Sequence, residues 1–475
     1  MFTVPEHVRQ TATTLLSTLR PLPLDTPNLP PLLPGGLPFV GHAAELRSNP
    51  VALVQRGRDM FGDMFCLRLP GTLGVVMTGH AAQEKYFRFR DDEVSQREAY
   101  QLMTPVFGKG IAYDAEPQIM KEQLGFFHGA LRESRLRTYT DGFIAESEHF
   151  FGQWGDTGEV NMLEVGNEVT LYTSTRCLLG DKMRFKLSKE FSELYADLEG
   201  GINVISFFAP YLPLPAMRRR DKARVKMVEL IEKIVAERRQ DSDSHEDILQ
   251  TLVESSYADG RKLTVDEITG LILTIMFAGH HTSGVTFSWI AVLLAQHPHI
   301  FRRLVAEQRE ILGDRQRITY DDLQKMKLLE GTIKEALRLY PPIILVMRRV
   351  LKAFEFQGKH VPEGAMLIAS PAVGHRVPDV FPEPHRFDPD RYLPGREEDK
   401  RWPYGHIAFG AGRHRCMGIV FAQLQLRALW SHLLRNFELD MLDPSYPVDY
   451  TNLIAGPRPP CRIRYRRIAK PSAGT

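Results

Sequence analysis

The sequence predicts a mainly α chain with a smaller β region, an α+β arrangement in one packed body. Three observations lead there. Residues from about 115 to 340 carry helical periodicity over most of their length. Within them, no Asp, Glu, Lys or Arg stands between Glu267 and Arg302, where the chain reads EITGLILTIMFAGHHTSGVTFSWIAVLLAQHPHIF. Apolar all round, that stretch suits a helix buried at the centre of a large domain. Strand-like runs are few and lie toward the two ends of the chain.

Taken in order, residues 1–30 read as a lead-in. HVRQTATTLLSTLR (7–20) is a short amphipathic helix, and PLPLDTPNLPPLLPGGLPFVGH (21–42) is too rich in proline and glycine for one. VALVQRGRDMFG (51–62) opens the folded body as a helix. CLRLPGTLGVVMTG (66–79) reads as two short strands about Pro70–Gly71. In the central helix Thr264 and Glu267 make a capping box and Leu263 with Ile268 a hydrophobic staple, while Pro298 stops it. At 1.5 Å per residue it spans roughly 50 Å, enough to cross a whole domain. FEFQGKHVPEGAMLIAS (354–370) is expected to form a hairpin around Pro362–Glu363–Gly364, and CRIRYRRI (461–468) a last strand. The body is expected to occupy residues 31–468, with 469–475 a flexible tail or the start of a linker.

With 475 residues and 43% apolar content the chain can bury a large core. Lys+Arg (60) and Asp+Glu (58) nearly cancel to a net charge of +2, which gives nucleic-acid binding no support. Cys66, Cys177, Cys416 and Cys461 are never spaced as CxxC. So few scattered thiols fit a reducing compartment. No signal-peptide pattern or long apolar anchor opens the chain, so a cytoplasmic location, at most peripheral at a membrane, is expected. The charge-free stretch is long enough to span a bilayer, but a lone span would strand two polar halves and put its His, Thr and Ser cluster in lipid.

The chemistry-bearing residues fall in a few stretches. AGHHTS (278–283) sits at the middle of the central helix. Successive helical residues point about 100° apart, so His280 and His281 are not expected to converge on one metal ion. A packed histidine and a member of a proton path both stay open. Gly279 opens the helix surface so that something flat can lie close, and the Thr282 hydroxyl can join a relay. FGAGRHRCMG (409–418) holds one cysteine in a glycine-rich loop ahead of an apolar helix, GIVFAQLQLRALWSHLL. A cysteine at a helix N-terminus is expected to be held as thiolate by the dipole and free N–H groups. Gly410, Gly412 and Gly418 let backbone approach a bulky planar ligand. In KEALRLYPP (334–342), Glu335 and Arg338 share one helical face.

FGAGRHRCMG resembles the haem-binding signature of the cytochromes P450, where a cysteine thiolate is the axial iron ligand. Glu335 and Arg338 match that family's ExxR, and Arg391 in PDRY (389–392) matches its third partner. The resemblance implies that this trio buttresses the cysteine loop. AGHHT matches the family's oxygen-activation motif, with His281 where most members carry Asp or Glu. About residues 30–468 are covered. The implied fold is that of the P450 catalytic domain, with haem b between the long central helix and the helix after Cys416.

A histidine at the acid position resembles the sterol 14α-demethylase branch. AYQLMTPVFGKGIAYD (99–114) does too, with Tyr100, Pro105, Phe107, Gly108, Tyr113 and Asp114 in register, as do LYADLEGG (194–201) and PYLPLPAMRRRDKAR (210–224). One departure is Gly284, where a second serine is commoner; a local packing effect is expected. The resemblance implies Cys416 as iron ligand and Phe409, Gly410, Ala278 and Gly279 against the haem. His414, Arg348, Tyr100, Tyr113 and Lys121 would meet its propionates. Leu102, Met103, Phe107, Ala278, Thr282, Ile343, Ile344, Leu345 and Val346 would line the substrate cavity. Leucine at the Leu102 position goes with C4-dimethylated sterols such as lanosterol. Thr282, His281 and Glu199 would be catalytic, with a His281–Glu199 contact that opens when the electron donor docks.

The implied activity is removal of a sterol 14α-methyl group by three O2-dependent oxidations, releasing formate and leaving a 14,15 double bond. No reductase domain fits in 475 residues, so a ferredoxin with its NAD(P)H reductase is the expected donor, meeting a basic face of Arg413, Arg415, Lys325 and Lys327. Azole inhibitors are expected to ligate the iron. NVISFFAPYLPLPAMRRR (203–220) turns from apolar to basic; it is either a packed loop or a membrane-surface patch with Arg218–Arg220 at the headgroups. Two other readings stay open. One is a related P450 that hydroxylates another triterpenoid without carbon–carbon cleavage. The other is a haem-thiolate sterol sensor, against which Thr282 and the intact motif stand.

Overall fold

The computed structural model describes residues 22–180, 184, 189–202, 205–206, 209–240, 247–313, 315 and 317–468. The stretch 7–20, the tail 470–475 and parts of 203–220 lie outside the described residues. The first part of the chain supplies α1 (Pro50–Phe61), β1 (Met64–Leu69), β2 (Thr72–Met77), α2 (His80–Arg88), β3 (Val94–Ser95), α3 (Glu133–Gly152), β4 (Thr157–Asn161) and α4 (Met162–Leu179). The middle supplies α5 (Lys189–Gly200), α6 (Pro215–Gln240), α7 (Val265–Gln296) and α8 (Lys327–Leu339). Then come β5 (Val346–Val350), β6 (Phe354–Phe356), β7 (Lys359–Val361), β8 (Met366–Ala369) and α9 (Ile419–Asn436). The chain closes with β9 (Phe437–Met441), β10 (Val448–Asp449), β11 (Gly456–Pro457) and β12 (Arg462–Arg467). This is the expected α+β class.

The central helix α7 is 32 residues long. Thr264 Oγ1 accepts from the Glu267 N–H at 3.2 Å, and Glu267 Oε2 accepts from the Thr264 N–H at 2.8 Å, completing the capping box. His297 closes the helix and Pro298 starts the next. Every residue from Ser283 to Leu294 is buried, so the charge-free stretch is a core helix. Among the described residues no helix is long and apolar enough to cross a membrane. α4 runs against α7 at close range. A Cβ at Gly166 would stand 2.5 Å from the Gly284 carbonyl oxygen, and one at Gly284 would stand 2.2 Å from Asn167 Oδ1. Gly284 is thus a close-packing residue.

Five strands pair in the order β1-β2-β8-β5-β3, parallel only between β2 and β8. A second sheet runs β4-β12-β9. The hairpin expected around Pro362–Gly364 is corrected. β6 pairs with β7 through Gln357–Gly358, both at positive φ (50° and 71°), as the two central residues of a tight hairpin turn require. β8 leaves that hairpin to join β2 and β5 in the large sheet. The basic segment is corrected as well: Arg218 and Arg219 are exposed, but Arg220 is fully buried and donates to the Pro210 carbonyl.

The main core gathers α3, α4, α7, α8 and α9, while smaller apolar clusters cover the five-stranded sheet. The functional cavity lies between these two parts.

Candidate active site

A cavity of about 1690 Å³ is walled by α7, the loop before α9, the approach to β5, the segment 96–131 and the end of α5. A single drug-sized ligand needs roughly 300–1,000 Å³, so there is room for a large planar group and a second molecule. Met103, Phe107, Ala278, Thr282 and Ile343–Val346 all line it, as do Tyr100, Tyr113, Lys121, Arg348, Phe409, Gly410, His414 and Cys416. Leu102 does not. It is 1% exposed, while its neighbours Gln101 and Met103 on the same 3-10 turn do line the cavity. Its expected place in the cavity wall is corrected.

The cysteine loop is held by its own backbone. The Cys416 N–H donates to the Phe409 carbonyl at 2.8 Å, and the Gly410 N–H to the Ile407 carbonyl at 2.9 Å. Gly412 has φ +63°, and a Cβ there would stand 2.1 Å from the Phe87 carbonyl oxygen. Only glycine fits that position. Cys416 presents its surface to the cavity. Burial raises the Cys416 thiol, against the Gly418 N–H and the Arg415 charge, which lower it. Such a thiol becomes thiolate when a metal centre takes it.

The groups suited to anionic substituents of a planar ligand come together. The rings of Tyr100 and Tyr113 are 5.4 Å apart, and the Tyr100 hydroxyl accepts from the Met347 N–H at 3.1 Å. Burial raises Tyr113 to about 12, so it stays a hydroxyl donor. Arg348 is buried beside them, and its Nη1 donates to the Met347 carbonyl at 2.8 Å. His414 Nε2 is already occupied, 2.6 Å from Asp91 Oδ1, which leaves Nδ1 for a further partner. Asp91, also in the cavity wall, had no sequence signal: it lies 323 residues away. A cavity-facing thiol, a glycine-shaped loop and this cluster of donors fit a haem.

On α7, His281 Nε2 lies 2.5 Å from Glu199 Oε1 on α5. Burial opposes the Glu199 charge, but the nearby His280 imidazole and the hydrogen bond to His281 outweigh it and hold the carboxyl down at about 2. Thr282 Oγ1 donates to the Ala278 carbonyl at 2.6 Å, leaving its lone pairs to accept from the cavity side. A Cβ at Gly279 would meet Ser174 Oγ of α4 at 3.7 Å, so that side of the glycine is backed by a helix, though its backbone does line the cavity. The expected divergence of the two histidines is corrected. Their ring centroids are 4.0 Å apart, because both side chains lean toward Glu199.

A cytochrome P450 family model matches residues 30–463. The chain belongs to the cytochrome P450 family. Relatives place this P450 in the sterol 14-demethylase branch. It is 38% identical over 448 residues to a sterol 14-demethylase of Arabidopsis thaliana, covering 92% of this chain and 91% of the relative. It is 39% identical over 445 residues to a sterol 14alpha-demethylase of Mycobacterium tuberculosis, covering 92% and 98%. Among solved structures, a retinoic acid-bound cyanobacterial CYP120A1 superposes with a TM-score of 0.82 at 25% identity, over 93% of this chain and 99% of that one.

The ExxR pair of this P450 is fully buried. Arg338 Nε and Nη2 donate to the two Glu335 oxygens at 2.7 and 2.9 Å, and Arg391 Nε donates to Glu335 Oε1 at 3.2 Å. The P450 adds partners that sequence motifs do not reveal. Tyr392 donates its hydroxyl to Glu335 at 2.9 Å, and Arg391 Nη1 meets Glu398 at 2.7 Å. His375 accepts from the Ile407 N–H through Nε2 at 2.8 Å, so its Nδ1–H faces the Arg338 carbonyl at 3.3 Å. That imidazole ties the buried trio to the start of the cysteine loop.

Proposed function

We propose that this P450 is a sterol 14α-demethylase acting on a lanosterol-like substrate. In three successive oxidations it converts the 14α-methyl group to alcohol, aldehyde and formate, leaving a 14,15 double bond. The observation that carries this reading is the His281–Glu199 pair, 2.5 Å apart in the wall of a large, mostly apolar cavity that also holds Thr282 and Cys416.

Haem bound through Cys416 would supply O2 activation and electron transfer. Tyr100, Tyr113, Lys121, Arg348 and His414 would hold its propionates. The chain's own residues do the rest. Met103, Phe107, Ala278 and Ile343–Val346 hold the hydrocarbon skeleton and exclude bulk water. Thr282 Oγ1 and His281 Nε2 stand one residue apart on α7 as the proton path. With Glu199 ionised, His281 Nε2–H donates to it and the path is closed; parting the pair admits water to His281.

Electrons come from a separate ferredoxin with its NAD(P)H reductase, docked on the exposed basic residues Arg413, Arg415, Lys325 and Lys327. An azole nitrogen that reaches the iron competes with substrate. Exposed Ile205 and Leu214, with Arg218 and Arg219, suit peripheral contact with an anionic membrane surface through which a sterol enters. The reading is tested by incubating the reconstituted enzyme with lanosterol, a ferredoxin system and NADPH, and identifying products by mass spectrometry. A 14-desmethyl diene is expected. A stable hydroxysterol as sole product would favour a triterpenoid hydroxylase instead.

A further inference from the structure

The mechanism does not use His280 of AGHHTS, and its surroundings are unusual for a core histidine. The residue is 7% exposed, yet Nδ1 has no hydrogen-bond partner. Nδ1 instead points at Glu199 Oε1 from 3.6 Å, too far for a hydrogen bond. The same oxygen takes His281 Nε2 at 2.5 Å. Glu199, His280 and His281 thus offer one oxygen and two imidazole nitrogens, all within 4.8 Å of one another. A buried, unpartnered imidazole nitrogen aimed at a carboxylate is satisfied when a cation stands between them.

We propose that Glu199 Oε1, His280 Nδ1 and His281 Nε2 form an inhibitory binding site for a divalent cation of borderline softness, with zinc as its natural probe. Two imidazoles and one carboxylate are a frequent zinc ligand set, and three protein ligands leave a fourth position for water. Ligand atoms around tetrahedral zinc, each about 2.0–2.1 Å from the metal, lie roughly 3.3 Å from one another. The 2.5 Å pair must therefore open and the 3.6 Å pair close, each by less than about 1 Å. Both shifts are side-chain adjustments. Glu199 and His281 line the main cavity, which gives a hydrated ion its way in. A bound ion takes the Nε2 position, with the imidazole proton carried on Nδ1, and fixes Glu199, so His281 can neither pass a proton through Nε2 nor part from its acid. The site itself does not depend on the relay reading above; the inhibition does.

The test uses the haem-loaded enzyme, in which Cys416 is occupied; the other thiols, Cys66, Cys177 and Cys461, are buried. Zinc chloride is titrated by calorimetry into wild type, His280→Phe and His280→Asn, and zinc inhibition of sterol turnover is measured relative to each protein's own zinc-free rate. One zinc site in the wild type is expected, weakened at least tenfold in both variants, with inhibition lost in parallel. Zinc-edge anomalous scattering at the three side chains in wild-type crystals would support the site directly. Equal zinc affinity in wild type and both variants would overturn it. Zinc seated at these atoms with turnover unchanged would overturn the inhibition and would count against the relay, whereas a His281→Ala enzyme of normal turnover would sink the relay alone.

Discussion

The backbone N–H of Ile407 donates to His375 Nε2 at 2.8 Å, and this bond carries the buried Glu335–Arg338–Arg391 cluster to the cysteine loop. Two residues on, Phe409 supplies the carbonyl that receives the Cys416 N–H. A loop that must present a sulfur to iron at one position is thus braced by an imidazole as well as by its own backbone bonds.

His375→Ala leaves the Ile407 N–H and the Arg338 carbonyl buried without partners, at roughly 1–3 kcal/mol each. A lower melting temperature and a falling fraction of thiolate-ligated haem, read from the carbon monoxide difference spectrum, are expected. His375→Asn, which retains a donor and an acceptor, recovers part of both.

His281→Ala removes one proton carrier and leaves the apolar cavity wall intact. Turnover is expected to fall by a factor of about 10²–10⁴, the usual share of general acid–base catalysis. The sterol dissociation constant from spectral titration should stay within about twofold of wild type. Unchanged turnover would exclude the relay role.

Gly284→Ala forces a Cβ to 2.2 Å from Asn167 Oδ1 and 3.0 Å from Asn167 backbone atoms. α4 and α7 must separate, at about 1–3 kcal/mol for an overpacked contact. A lower thermal midpoint, with a matching loss at Gly166→Ala, is the expected calorimetric result.

Burial holds His375 well below the usual imidazole range, lowers His406, and brings His432 to about 4. In the unfolded chain these groups take up protons near pH 6.5. Their contribution to stability is therefore complete above that pH and is lost as pH falls from 6.5 toward each folded value. For His432 the loss is complete near pH 4 and is on the order of 3 kcal/mol at about 1.4 kcal/mol per unit. Melting temperatures measured across pH 7.5 to 4.5 should fall, with a shallower slope in His432→Phe.

Local rules made much of this molecule readable. Thr264, Glu267 and Pro298 are caps and stops that act within a turn of themselves, so α7 was legible in the sequence, as was the strand pair about Pro70–Gly71. Glu335 and Arg338 were legible because their spacing is helical. The hairpin was misplaced because two turn signals, Gln357–Gly358 and Pro362–Gly364, compete within a few residues, and only pairing to β2 and β5 decides between them. Asp91, Glu398 and His375 reach their partners through the fold, which no spacing records. His280 and His281 converge because α5 brings one carboxylate to both, a tertiary fact that helical geometry alone cannot supply.

The central claim is carbon–carbon cleavage at the 14α-methyl group, and the most direct measurement follows that carbon. Lanosterol labelled at the 14α-methyl group is turned over by the reconstituted enzyme, and labelled formate is quantified against 14-desmethyl product. One labelled formate per sterol converted is the expected result. Label retained in a hydroxymethyl sterol, with no formate, would contradict the account.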